Sequence, residues 1–150
     1  MATEAFDDRT GSSASRYVES SALLAALLEG EPSAVAALHV RGRYLTSALT
    51  VTESSRALVR ARAIGRVSAE QERALVHDLR AFESRCSILR LEAPILERAG
   101  RPFPVEPVRT LDAIHLATIE ALGEPPPLVT VITRDARVRD NAIALGYAVE

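Results

Sequence analysis

The feature that most constrains this chain is an alternation. Short apolar runs of strand length are separated by helix-length segments with their own start and stop signals, along nearly the whole sequence. Leu128–Ile132 (LVTVI) is the clearest strand, a near-continuous apolar run suited to a parallel strand buried on both faces. Tyr17-Val18, Tyr44–Ser47 and Ser87–Leu91 read as further strands, with Tyr147–Val149 closing the set. Between them, Ser20 and Ser21 can cap a helix over Ala22–Leu28, and Pro32 opens another over Ser33–Val40. Thr50 or Thr52 leads into a helix ending near Ile64. Ser68 and Gln71 have capping-box spacing. Pro94 opens a helix to Ala99, Thr110 caps one through Leu122, and Asp135 caps a last one that stops at Gly146. This order predicts an α/β fold, a parallel sheet covered by helices on both faces.

At 150 residues the chain has the length of one domain. Residues 1–14 are polar and read as a flexible tail, leaving 15–150 as the domain. No apolar run reaches ~18 residues, so no membrane-spanning helix is expected. The acidic, polar start is not expected to act as a secretory signal. One cysteine, Cys86, and three scattered histidines make no zinc signature, and a reducing cytoplasm is the expected compartment. Net charge is -2, so the chain lacks the basic field of a duplex-coating protein. All 18 basic residues are arginine, a bias that fits GC-rich coding, although single guanidinium groups remain able to grip phosphate.

Sites in open parallel sheets form beyond the carboxyl ends of the strands. Glu19 directly follows the first strand. Glu53 is expected in the first turn of the helix after the second. Asp112 lies two residues after Thr110, and Asp135 three residues after Ile132. Four carboxylates on one edge repel, and oxygen-only ligation suits Mg2+ or Mn2+. Such a cluster can activate water and steady the leaving oxygen of a phosphodiester. Ser21 and Thr133 adjoin two of the acids and can orient them. Each acid also has an ordinary role: Asp135 as a helix cap, Glu53 and Asp112 as partners of a helix dipole, Glu19 as a solvated group. Glu92, after the third strand, satisfies the same positional rule. The residue pattern alone leaves a metal site and structural acids both open.

The stretches carrying these acids resemble the motifs of PIN-domain ribonucleases of the VapC toxin type. YVESSALLAALL (17–28) is similar to the first motif, LTSALTVTESSRAL (45–58) to the second, RTLDAIHLATIEAL (109–122) to the third and VITRDARVRDNAIALGYAV (131–149) to the last. They stand in family order. The resemblance implies a three-layer α/β/α fold with a central parallel sheet of four to five strands. It implies a Mg2+- or Mn2+-dependent endoribonuclease, held inactive by a small cognate VapB-like antitoxin and often dimeric. Carried over by motif, Glu19, Glu53, Asp112 and Asp135 form the catalytic, metal-holding site, with Thr133 and Ser21 supporting. Glu19 departs from the family's usual Asp, and its extra methylene must fold back or shift the metal. The alternative is a degenerate PIN-like module that binds RNA or protein without cutting. A phosphatase or receiver-like domain would need an Asp where the first strand ends in Glu19.

The other chemistry-bearing residues have quieter readings. His115 is expected as a core histidine bonded to a neighbour, with a ligand or base role as the rival. His39 and His77 lack ligand partners at useful spacing, Cys86 reads as a small buried apolar residue, and Asp140 as solvated. Arg56 and Arg60 share a helix face with Glu53, and Arg134, Arg137 and Arg139 flank Asp135. Arg56, Arg134 and Arg137 are candidate contacts to RNA phosphates. With only three Tyr, three Phe and no Trp, base stacking is not expected to dominate. Leu23, Leu24, Leu27 and Leu28 are expected mostly in the core, with part of their surface offered to a dimer or antitoxin partner.

Overall fold

The computed structural model, which describes residues 14–150, contains five strands among them: β1 (Ser15–Val18), β2 (Arg43–Ser47), β3 (Ser87–Leu89), β4 (Val129–Ile132) and β5 (Ala148–Val149). All pair in parallel, in the order β3-β2-β1-β4-β5. The helices are α1 (Ser20–Leu27), α2 (Pro32–Ala37), α3 (Ala48–Ala63), α4 (Ala69–Ser84), α5 (Ala93–Ala99), α6 (Thr110–Glu120) and α7 (Ala136–Ala144). The expected tail over 1–14 lies, Ala14 apart, outside the described residues.

Successive strand residues point to opposite faces, which divides the core in two. Tyr17 and Val131 face a cluster with Leu116, Ile119 and Val138 from α6 and α7. Their neighbours Val18 and Ile132 face a second cluster with Leu23, Leu58, Leu79 and Phe82 from α1, α3 and α4. The sheet is therefore sandwiched in a three-layer α/β/α arrangement, as expected. Among the described residues no helix is long and apolar enough to cross a membrane.

The capping box at Ser68 and Gln71 forms, and Asp135 caps α7. Three helix starts differ from the sequence expectation. In α1 the cap is Glu19 itself, whose carboxylate accepts from the Ser21 backbone N–H, so Ser20 and Ser21 fall inside the helix. In α3 the cap is Ser47, at the end of β2, and the helix begins at Ala48. Thr50 is buried, and Thr52 donates its hydroxyl back to the Ala48 carbonyl at 3.1 Å, a mid-helix habit of threonine. In α6, Arg109 holds the cap position without a side-chain cap bond, and Thr110 is the first helical residue. The third strand is also shorter, because pairing with β2 ends at Leu89.

Strand order decides which acids can meet. β1 is central, between β2 and β4, so the residues following these three strands converge. β3 is an outer strand, which leaves Glu92 exposed beyond it and away from β1. That separates Glu92 from the other acids where sequence position could not.

Candidate active site

Glu19 is the most constrained acid. It leaves β1 and folds back over the N-terminus of α1, as the extra methylene requires. Oε1 accepts from the Ser20 hydroxyl at 2.6 Å and the Ser21 N–H at 3.0 Å. Oε2 accepts from the Ser21 hydroxyl, and from Thr133 at 2.8 Å. The side chain is only 5% exposed. Four donors fill its acceptor positions, which satisfies the oxygens of a carboxyl group held out of water. Three of them are hydroxyls, free to rotate and return a lone pair to an incoming cation.

Glu53 sits in the second turn of α3 rather than the first, because α3 starts at Ala48. Its Oε1 meets His115 Nε2 at 2.6 Å and the Ser20 hydroxyl at 3.2 Å. Ser20 thus joins Glu19 to Glu53. His115 is 1% exposed, and its Nδ1 lies 3.0 Å from the Tyr17 hydroxyl. Burial, with Glu19 adding to it, pushes the Tyr17 phenol far above its ordinary range. The phenol therefore stays protonated, and the imidazole, within hydrogen-bond distance of it at Nδ1 and of Glu53 at Nε2, bridges Tyr17 to Glu53. The expectation of a core histidine bonded to a neighbour holds, but one neighbour is a candidate site acid.

Asp112 and Asp135 form the other half of the edge. Asp112, in the first turn of α6, is buried and receives a two-pronged grip from Arg109, Nε at 2.7 Å and Nη2 at 3.2 Å. The same Nη2 reaches Asp135 Oδ2 at 2.8 Å. Asp135 Oδ1 accepts from the backbone N–H groups of Arg137 and Val138. Asp112, with Asp135 beyond it, holds the Arg109 guanidinium above its ordinary value. Thr133 joins the halves: its hydroxyl donates to Glu19 and accepts from the Asp135 N–H at 3.1 Å. Ser21 likewise accepts from the Arg134 N–H at 2.8 Å.

The four sequence-predicted acids, Ser21 and Thr133 are thus linked in one network. Arg109 and Ser20 were missed. The i,i+3 spacing of Arg109 and Asp112 was a visible signal, whereas the reach to Asp135 was not. Of the candidate RNA contacts, Arg134 is engaged elsewhere: Nε binds Glu31 at 3.0 and 3.1 Å and Nη2 binds Ser33 at 2.9 Å. Arg137 is exposed. Arg56 and Arg60 line a groove of about 460 Å3 that includes Glu53, Leu24, Leu49 and Leu111. Asp140 is exposed, as expected. Leu27 of α1 opens onto a smaller groove with Val35, Leu38 and Phe82, while Leu23 is fully buried.

The donor set fits a hard divalent cation. One ligand atom each from Glu19, Glu53 and His115 lies within 4.8 Å of the others. Two carboxylates that close favour a shared cation, and their oxygens suit Mg2+ or Mn2+.

The chain is similar to known proteins in sequence and in fold. A family model described as PIN domain matches residues 16–144. Ribonuclease VapC46 of Mycobacterium tuberculosis is 37% identical over 139 residues, covering 89% of this chain and 94% of the relative. Among solved structures, VapBC2 from Rickettsia felis, bound to a DNA fragment from its promoter, superposes with a TM-score of 0.64 at 14% identity, covering 91% of this chain and 97% of its own. VapC20 of Mycobacterium tuberculosis, described as a toxin cleaving the sarcin–ricin loop, gives 0.61 at 17% identity, covering 89% and 96%.

Proposed function

This chain belongs to the PIN-domain family, and from that premise we propose that it is a divalent-metal-dependent endoribonuclease, the toxin of a toxin–antitoxin pair. The observation that carries the reading is the single network of Glu19, Glu53, Asp112 and Asp135 on one sheet edge. The similarity to a ribonuclease over nearly the whole chain supports it and disfavours a non-cutting module. Glu19 and Glu53 would hold the cation, Mg2+ or Mn2+, with Asp112 and Asp135 completing the acid edge. When bound, such an ion supplies Lewis-acid stabilisation of a phosphate and eases deprotonation of water.

The residues around it have separable tasks. Ser20, Ser21 and Thr133 fix the Glu19 carboxylate. His115, itself fixed by Tyr17, orients Glu53 through Oε1. Glu53 Oε2 has no hydrogen-bond partner among the described residues and is the oxygen left free to face a cation. Arg56 and Arg60, in the groove beside Glu53, would grip flanking RNA phosphates, with Arg137 on the other side of the edge. The apolar groove between α1, α2 and α4 would receive part of a small antitoxin.

The test is cleavage of a mixed RNA pool by the purified chain, free of any partner, in Mn2+, in Mg2+ and in EDTA, with new 5′ ends mapped. Discrete cuts that need the metal are expected. Absence of cutting in both metals, with no metal uptake, would overturn the reading.

A further inference from the structure

We propose that Arg109 is the residue that binds the scissile phosphate of the RNA on the acid edge. The proposal rests on the metal-dependent nuclease reading and deepens it. One side of the guanidinium is anchored. Nε and Nη2 donate to the two oxygens of Asp112 at 2.7 and 3.2 Å, and Nη2 also donates to Asp135 Oδ2 at 2.8 Å. Nη1 has no hydrogen-bond partner among the described residues and keeps its N–H groups to offer. The Asp112 side chain is 9% exposed and that of Arg109 61%, so the acid is the buried member of the pair and the guanidinium the open one. The contact with Asp135, whose backbone N–H shares the Thr133 hydroxyl with Glu19, holds the guanidinium over the same edge that carries Glu19.

The charge balance of the edge favours such a group. Glu19, Glu53, Asp112 and Asp135 are all carboxyl groups, and an RNA linkage brings a further negative charge. Among the described residues Arg109 is the one guanidinium in ion-pair contact with any of these acids. Glu19 and Glu53 meet only His115, and Arg134 is paired with Glu31. Arg56 and Arg60 line the groove beside Glu53, where they serve flanking linkages. A guanidinium suits a phosphate because its planar donors match the oxygens, and it stays charged at every accessible pH. Anchoring by two aspartates fixes its direction before RNA arrives, and a charged donor fixed in advance is the kind that stabilises a transition state most.

The experiment measures binding of the full chain to a short 2′-O-methyl oligonucleotide that spans the strongest mapped cut, with one linkage at a time replaced by a neutral methylphosphonate. Dissociation constants come from fluorescence anisotropy, in EDTA and in Ca2+, with the strand verified intact on a gel. For wild type, neutralising the cut linkage should weaken binding about tenfold, the worth of a hydrogen bond between charged groups. For Arg109→Gln the same change should cost less than about twofold, while the other linkages affect both proteins equally. Circular dichroism checks the fold. Should the unpaired charge of Asp112 unfold this variant, Arg109→Gln combined with Asp112→Asn removes that charge and allows the same comparison. Equal losses for wild type and variant at the cut linkage would overturn the proposal and make Arg109 a structural partner of Asp112 only, with the nuclease reading intact because wild type still cuts. Absence of any cut by wild type would overturn both.

Discussion

Replacing Tyr17 with phenylalanine tests whether the buried chain from Tyr17 through His115 to Glu53 is a real coupling. The ring lies fully buried against α6, so Phe keeps its packing and removes only the hydroxyl. What is lost is one buried hydrogen bond of 3.0 Å and the partner of His115 Nδ1. A net hydrogen bond contributes about 0.5–1.5 kcal/mol, and a buried group left unpaired costs about 1–3 kcal/mol. The expected destabilisation is therefore about 2 kcal/mol. With a urea dependence of about 1–3 kcal/mol per molar, the midpoint should fall by roughly 1 M. His115→Gln is the companion change, because its amide can still donate to Glu53 but offers nothing to Tyr17. The double variant removes both ends of the Tyr17–His115 bond at once. Its loss should be smaller than the sum of the single losses by about 1 kcal/mol, within the range of coupled neighbours. Urea unfolding of the four proteins gives the cycle. Strict additivity, with Tyr17→Phe costing less than about 0.5 kcal/mol, would refute the chain of bonds described here.

Other expectations follow from single contacts. Ser68→Ala removes half of the capping box of α4 and should cost about 1 kcal/mol in urea unfolding while RNA cleavage is unchanged. Thr133→Val removes the hydroxyl shared by Glu19 and Asp135 and should lower cleavage by about 10–100-fold, measured as kcat at saturating metal. Burial pushes the Cys86 thiol up to about 11, so at pH 8 it holds far less reactive thiolate than an exposed cysteine. Iodoacetamide should therefore modify it slowly at pH 8, with the rate climbing as pH approaches 11.

Much of this was legible because strand chemistry is local. Four residues of LVTVI, Val129–Ile132, form the inner parallel strand β4, whereas Leu128 is exposed in the turn before it, and Asp135 announced itself as a cap by its place before an amphipathic segment. The errors have local causes too. Ser20 and Ser21 looked like caps because serine is the preferred residue there, but Glu19 is long enough to reach back and cap its own helix. Glu53 falls in the second turn and not the first because Ser47, which ends a strand, also starts a helix. What sequence could not show was contact across the sheet. Arg109 meets Asp135 from 26 positions away, and His115 meets Glu53 from 62. Glu92 was separated from the true neighbours only by strand order, since it follows an outer strand.

The most direct test of the account is Asp112→Asn beside wild type, on the same RNA pool in Mn2+. The substitution keeps the shape of a side chain in the first turn of α6 while removing the charge that Arg109 grips. An unchanged circular dichroism spectrum and loss of every metal-dependent cut are expected. Wild-type cleavage by the folded variant would contradict it, because the acid edge would then not be where the phosphodiester is broken.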